Sequence, residues 1–505
     1  MPNNYRKIFK TLGILVIVAL LLYIGGNYLI SRKIEKTLQE KLPENVSLTY
    51  KDTHFNIFSG SYSLDQPKIS IDPQNDTLSG STLEFSKIDF QNLSYTKFLF
   101  KDDIQLSKIL LSDPNIQYNT QTQFPKNGGS QKPPAILVKS LEVTNGTLQL
   151  SKGKNQELLH AKNLQLSITE IQNSEGNLPI QFAEVQLQGD SLRVPVSKFD
   201  LLTMGSIDFH TSSNSTLQQV ALKTTLSKEA LSDSISTERD HYRIEISEIT
   251  FQDFQFLKDS TLGYAAQQLT LSEPNIEIFR DKRVPDTYRT KPLMNEMLRK
   301  LPFPLKIDSV MVHKGRIIYE ELIRSGMPPG KVDFTALEGT IQNLGNTYPK
   351  NTSTHITVDA QILKDTPFKA EWDFDVANLN NQFEFSAQVA HFGADELNSF
   401  TIPSDKLKLS GEMYETYFSI YGNEDQSHVD MKVNYKGLQV TLLKDDLTEK
   451  KGFLSAIANI FVNKESTDTE GNFRKASTDV KRVKRKSNFN YIWINILAGL
   501  KKSVM

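Results

Sequence analysis

Val429-Asp430-Met431-Lys432-Val433-Asn434-Tyr435 places an apolar side chain at every second position, and Leu438-Gln439-Val440-Thr441-Leu442 resumes the alternation after Lys436-Gly437. A period of two belongs to a strand with one apolar face, because successive side chains point to opposite sides of a sheet. Ala370, Trp372, Phe374 and Val376 repeat the pattern, as do Phe383, Phe385, Ala387 and Val389, and Tyr242, Ile244 and Ile246. Turn signals separate such runs: Gly128-Gly129, Gly189-Asp190, Pro328-Pro329-Gly330 and Gly422-Asn423. Asn145-Gly146, between Leu141-Glu142-Val143 and Thr147-Leu148-Gln149-Leu150, is the strongest hairpin signal, since both residues tolerate positive φ. Residues 48–443 therefore read as mainly β, an elongated antiparallel meander forming a curled sheet or groove.

The meander contains a repeat, about 104–173 and 264–344. Leu111-Ser112-Asp113-Pro114-Asn115-Ile116 returns as Leu271-Ser272-Glu273-Pro274-Asn275-Ile276, and Val138 to Leu150 aligns without a gap on Ile307 to Tyr319, Gly146 falling on Gly315. The second copy has nine more residues between these matches. They fall where Pro292 to Leu301 has the spacing of a short helix. Further helices are expected at 453–462 and 488–502, within a C-terminal region, 444–505, that also holds a polar linker. Before the last helix stands a basic cluster. Lys484, Arg485 and Lys486, followed by Phe489, Trp493, Ile496 and Leu500 on one helical stripe, suit the headgroup zone of a membrane. The same composition suits a helix plugging the end of a β structure.

At the other end, Leu12 to Ile30 is one uncharged apolar run flanked by Arg6, Lys7, Lys10, Arg32 and Lys33. As a helix it is roughly 28 Å long, about the thickness of a bilayer's hydrocarbon core. Leu12, Ile14, Leu15, Ile17, Leu20, Leu21, Leu22, Tyr23, Ile24 and Leu29 give it its apolar surface. It reads as a retained single-pass anchor rather than a cleaved signal, because the run is long and ends without a small-x-small site. Residues 1–11 are then a short cytoplasmic tail and 31–47 a juxtamembrane helix or linker. The 505 residues carry a net charge of −1, which gives no field for nucleic acid, and no cysteine, which excludes disulfides, thiolate metal sites and thiol catalysis.

The single anchor leads into SLTYKDTHFNIFSGSYSLDQPKISI, residues 47–71, and on to the paired LSDPNI and LSEPNI strands. The IDSVMVHKGRIIYEE stretch, read as a hairpin, FGADELNSFTIPSDKLKLSGEM and the closing VNYKGLQVTLLKDD, FLSAIANIFV and FNYIWINILAGL complete the set. Together these resemble the AsmA-like proteins of bacterial envelopes, related to the TamB and repeating β-groove group. The resemblance implies an inner-membrane protein with a periplasmic β groove, linked to phospholipid movement toward the outer membrane. Larger members span the periplasm; this chain is shorter.

No catalytic, cofactor or metal constellation emerges from the residues. The eight histidines are scattered, none paired at i, i+4 around a glutamate, and neither a nucleophile elbow nor a phosphate-binding glycine loop is present. Asp373 and Asp375 alternate with the apolar residues and read as a solvated strand face. The expectation is a non-enzyme whose partners are membrane lipids and other envelope proteins. Its apolar β face would hold acyl chains, with Trp372, Phe374, Phe383, Phe385, Val429, Met431 and Val433 as lining. The alternative is an envelope scaffold assisting outer-membrane protein assembly, with its sheets sealed against each other.

Overall fold

A computed structural model describes residues 42–73, 79–101, 103–122, 135–173, 180–211, 213–258, 262–444 and 473–504, together with Arg32 and Lys36. The expected anchor at 12–30 and the expected helix at 453–462 lie outside the described residues, as does the turn at Gly128-Gly129. No described helix is long and apolar enough to cross a membrane. The chain is mainly β and divides into two units, residues 1–195 with 204–210, and residues 196–203 with 211–505.

In the first unit, β1 (Val46–Thr49), β2 (Asp52–Asn56), β3 (Ser61–Asp65), β4 (Lys68–Ile71), β5 (Ser81–Glu84) and β6 (Lys87–Gln91) are halves of three long antiparallel strands. Each is interrupted once, and the register runs straight through the interruption. After helix α1 (Tyr95–Lys101), β7 (Ile104–Ser112) and β8 (Asn115–Asn119) form a fourth such strand. Both run parallel to β9 (Ile136–Lys152), in one register. The proline at 114 explains the break, since it has no N–H to give to a ladder. A hairpin leads from β9 to β10 (Gln156–Asn173), and β11 (Ile180–Gln181), β12 (Val185–Gly189) and β13 (Ser191–Pro195) pair back onto β10. Of the next two strands, β14 (Asp200–Met204) pairs within the second unit and β15 (Ser206–His210) pairs with β12.

The second unit continues with β16 (Ser215–Thr224), α2 (Lys228–Ser234), β17 (Asp240–Gln252), β18 (Gln255–Lys258), β19 (Leu262–Ser272) and β20 (Asn275–Asp281). Helix α3 (Met294–Arg299), inside the expected 292–301, carries the chain across to β21 (Leu305–Leu322), which lies parallel to β19 and β20. There follow β22 (Gly330–Gly345), β23 (Ser353–Ile362), β24 (Thr366–Asp375), β25 (Phe383–Val389), β26 (Phe392–Gly393), α4 (Asn398–Asp405), β27 (Leu407–Gly422), β28 (Gln426–Leu442) and β29 (Arg474–Lys481), all antiparallel. Helix α5 (Asn488–Val504) closes the described chain.

Two sequence readings are corrected here. The sheet is mixed, because each repeat contains a parallel crossover, β8 to β9 and β20 to β21; such a link needs a dozen or more residues and leaves no local signature. Asn145-Gly146 is not a hairpin turn. It sits inside β9, where Asn145 at φ 54° makes a bulge and Gly146 has no positive φ. Asn145 Nδ2 donates to Asp113 Oδ1 at 2.8 Å, and Thr147 N to the Pro114 carbonyl at 2.7 Å. A Cβ on Gly146 would lie 3.1 Å from Pro114 Cγ. The second repeat matches this: the hairpin expected in IDSVMVHKGRIIYEE is one continuous strand, β21, bulged where Lys314 has φ 52°, and a Cβ on Gly315 would lie 3.3 Å from Pro274 Cγ. Gly189-Asp190 is likewise a kink between β12 and β13, whereas Pro328-Pro329-Gly330 and Gly422-Asn423 do turn the chain between paired strands.

Candidate functional site

Pairing register decides which alternating residues share a face, because directly opposed residues point to the same side. In the first unit Ile88, Leu111, Val143, Leu166, Leu187 and Phe209 form one unbroken row across β6, β7, β9, β10, β12 and β15. Ile69, Leu83, Ile116, Leu148, Ala161 and Leu192 form a second row on the same face, beyond the bulges. Five strand spacings make each row roughly 24 Å long. Apart from Ile88 and Ala161, these side chains are only half-buried. Helix α1 lies beside β7, and Phe98 on it packs against a small core of Tyr62, Leu64, Phe85 and Ile88. The opposite face is polar, with cross-strand ion pairs such as Lys68–Glu84 at 2.8 Å and Lys108–Glu142 at 2.6 Å.

The second unit repeats the design. Leu222, Ile244, Ile276, Ile317, Phe334 and Ile362 form a half-buried row across β16, β17, β20, β21, β22 and β23. At the strand ends this face turns ionic. Arg280 forks onto Asp240 with two contacts of 2.6 Å, and the buried Glu238 meets Lys282 at 3.2 Å and Lys291 at 3.5 Å. Burial, then the Asp240 charge, pushes the Tyr242 phenol up to about 12.

A parallel row, Phe251, Leu269, Val310, Ile341 and Ile356, runs on through Trp372, Phe385, Ile420 and Val429. Here the expected lining is corrected. Val429, Met431 and Val433 are at most 1% exposed, and Trp372, Phe374 and Phe383 are buried with them; Phe385 packs at the edge. Helix α5 lies over β27, β28 and β29 and closes this core together with residues of α3. Its sheet-facing stripe is Tyr491, Ile492, Asn495, Gly499 and Ser503. A Cβ on Gly499 would stand 2.9 Å from Met431 Cε, so the helix sits as close as its backbone allows. The Ser427 hydroxyl donates to Asn495 Oδ1 at 2.8 Å, and Asn495 Nδ2 to the Tyr491 carbonyl at 2.8 Å. Six of the seven expected lining residues are thus buried in a helix-covered core and Phe385 is half-buried beside them, which alternation alone could not reveal.

The terminal segment is thereby placed. Ile496 and Leu500 pack against this core, Trp493 meets Phe400 of α4 at 5.1 Å between ring centroids, and Phe489, 71% exposed, reaches Trp372 at 6.4 Å. Lys484 and Lys486 are paired with Asp425 at 2.6 Å and Asp286 at 2.7 Å, while Arg485 is exposed. Of the two readings of this helix, the geometry is that of a cover on the end of the sheet.

No protein-family model matches the chain, and no curated protein is similar to it.

One constellation escaped the sequence reading because it joins two strands 49 positions apart. His428 Nδ1 lies 2.7 Å from Asp479 Oδ1, and its Nε2 lies 2.9 Å from Ser477 Oγ. The spacing suggests a nucleophile, a base and its orienting acid. Yet Nε2 also faces Asp430 Oδ1 at 3.3 Å, on the solvated face. The hydrogen bond to Asp479, with Asp430 adding to it, raises the His428 pKa. The imidazole is thus set between two carboxylates on an exposed face, the arrangement of a histidine–carboxylate pair. His313–Glu338 at 2.8 Å and His355–Asp373 at 2.7 Å are further histidine–carboxylate contacts between strands. Among the described residues no group of three or more metal-ligating side chains gathers.

Proposed function

We propose that this chain is an inner-membrane-anchored protein of the bacterial envelope, held by residues 12–30, whose β region stands in the periplasm and carries phospholipid toward the outer membrane. Acyl chains lie on the half-buried apolar rows of each unit, and headgroups stay in water. The observation that carries this reading is the continuity of those rows: six strands in sequence each contribute an apolar side chain at the same level of one face. Fully burying a Leu, Ile or Val side chain is worth about 1.5–3 kcal/mol, so covering one half-buried row is worth about 1 kcal/mol per residue. Such contacts have no direction, so a tail moves along them without breaking a specific bond. The seat of α5 is excluded from the path because its side chains are already covered.

The test is lipid extraction from the full chain, purified in a detergent that is then exchanged away, with mass spectrometry of what remains. Recovery of phospholipid in near-stoichiometric amount supports the reading. Recovery of none, with envelope proteins crosslinked to the chain instead, favours the scaffold alternative.

A further inference from the structure

Beside α3, at the ends of β22, β23 and β24, lies a cavity of about 240 Å³. Two charged side chains line it, Arg299 and Asp375. Neither makes an ion pair, with the other or with any described residue. Arg299 spends three of its five N–H groups on neutral oxygens: Nη1 donates to the carbonyls of Val376 at 2.7 Å and Asn378 at 3.1 Å, and Nη2 to Asn381 Oδ1 at 2.8 Å. Asp375 accepts from Ala377 N at 2.8 Å and Asn351 N at 3.0 Å, one bond on each oxygen, which leaves further lone pairs. Elsewhere on this sheet charges pair across strands. Here one cation and one anion border the same space without meeting, with the polar side chains of Asn343, Tyr348 and Thr352 around them.

An anion entering this space gains from Arg299 and loses to Asp375; a cation does the reverse. A zwitterion gains from both. The volume falls below the 300–1,000 Å³ usual for drug-sized ligands, so the ligand is small. The geometry points to a binding site for an aminoalkyl phosphate, phosphoethanolamine chemistry, with the phosphate on Arg299 and the ammonium on Asp375. The choice of phosphate rests on the lipid reading above; the need for two opposite charges does not. Thr354, which also lines the cavity, is level with Phe374 and Phe383 in the pairing register, so the site adjoins the covered end of the apolar face and lies apart from the half-buried rows.

The full chain in detergent is titrated by calorimetry with phosphoethanolamine, with dihexanoyl phosphatidylethanolamine, and with glycerol phosphate, which lacks the ammonium. Charged hydrogen bonds of about 1.5–3 kcal/mol correspond to roughly tenfold or more in affinity. Arg299→Gln should weaken all three ligands at least tenfold. Asp375→Asn should weaken phosphoethanolamine yet strengthen glycerol phosphate, an opposition of sign that a merely structural role does not produce. Because Arg299 also holds the 376–381 loop, Thr352→Phe, which fills the cavity and leaves both charges, is the second variant and should abolish binding. Tighter binding of the short-chain lipid than of the free zwitterion identifies a lipid headgroup as the source; equal affinity identifies the free compound. Absence of phosphoethanolamine binding, or binding that Thr352→Phe leaves intact, overturns the site. If phospholipid still copurifies with the chain in that case, the lipid reading stands without it.

Discussion

Gly499→Leu separates a seated helix from a loosely laid one. On α5 the nearest atoms to a Cβ at this position are Met431 Cε at 2.9 Å, Sδ at 3.1 Å and Cβ at 3.3 Å. Met431 can swing its terminal methyl, so Gly499→Ala should cost little. A leucine needs more room than Met431 can yield. Lifting α5 off the sheet would return Ile420, Val429, Met431 and Val433 to water at about 1.5–3 kcal/mol each, about 6–12 kcal/mol together. Overpacking strain of about 1–3 kcal/mol is smaller. The helix therefore stays, and the variant loses about 1–3 kcal/mol of stability in the second unit. The protein has two tryptophans, Trp372 under the helix and Trp493 on it, so intrinsic fluorescence during urea unfolding reports this interface directly. Met431→Ala combined with Gly499→Leu should recover part of the loss, giving a favourable coupling energy. An unchanged unfolding midpoint for Gly499→Leu, or strict additivity in the double variant, would refute the seat.

Other expectations follow from the same geometry. Leu166→Glu with Leu187→Glu puts two carboxylates in a half-buried row; copurifying phospholipid should fall severalfold while the circular dichroism spectrum holds, whereas loss of the fold would mean that the row is a sealed core. Gly146→Val forces a side chain against Pro114 Cγ and Val143 Cγ1, both 3.1 Å from the Cβ position, and should destabilise the first unit by about 1–3 kcal/mol, read as a lowered urea midpoint. His428 has a raised pKa, chiefly through Asp479, so its contribution is present in full below its unfolded value of 6.5 and disappears as pH rises through the folded value. The stability difference between wild type and His428→Gln should accordingly be larger at pH 5.5 than at pH 8.5, and an equal difference at both would contradict the pairing. Asp113 has a lowered pKa, first through Asn145 and then Ser86. Its stabilisation of the bulge is therefore present above 3.8 and lost as pH falls through the folded value, so Asp113→Asn should lower the urea midpoint more at pH 7 than at pH 2.5.

Period-two alternation identified the strands and their apolar face because each side chain's direction is a local property of an extended backbone. The helices at 294–299 and 488–504 were legible for the same reason. Asn145-Gly146 misled because a residue that tolerates positive φ serves a bulge as well as a turn, and the deciding partner, Pro114, comes from another strand. The parallel crossovers were hidden because nothing local records which neighbour a strand will take. The bulges also shift the phase of the apolar pattern in mid-strand, so that Val143 and Leu148 share a face despite odd spacing; this masked the first unit's rows. Val429, Met431 and Val433 alternate as cleanly as Leu164, Leu166 and Ile168. Among the described residues the difference between the two faces is the position of α5, and alternation does not encode it. The placing of Arg299 and Asp375 on one cavity brings a helix end beside a strand end 76 positions away, again beyond local reading.

The most direct measurement is photocrosslinking in living cells, with benzoylphenylalanine placed singly at Leu166, Leu187, Ile276, Val429 and Gln186. Lipid adducts at the first three, and none at Val429 under α5 or at Gln186 on the polar face, are the predicted result. Adducts absent from all three row positions, or equally strong at Gln186, would contradict a one-sided lipid surface.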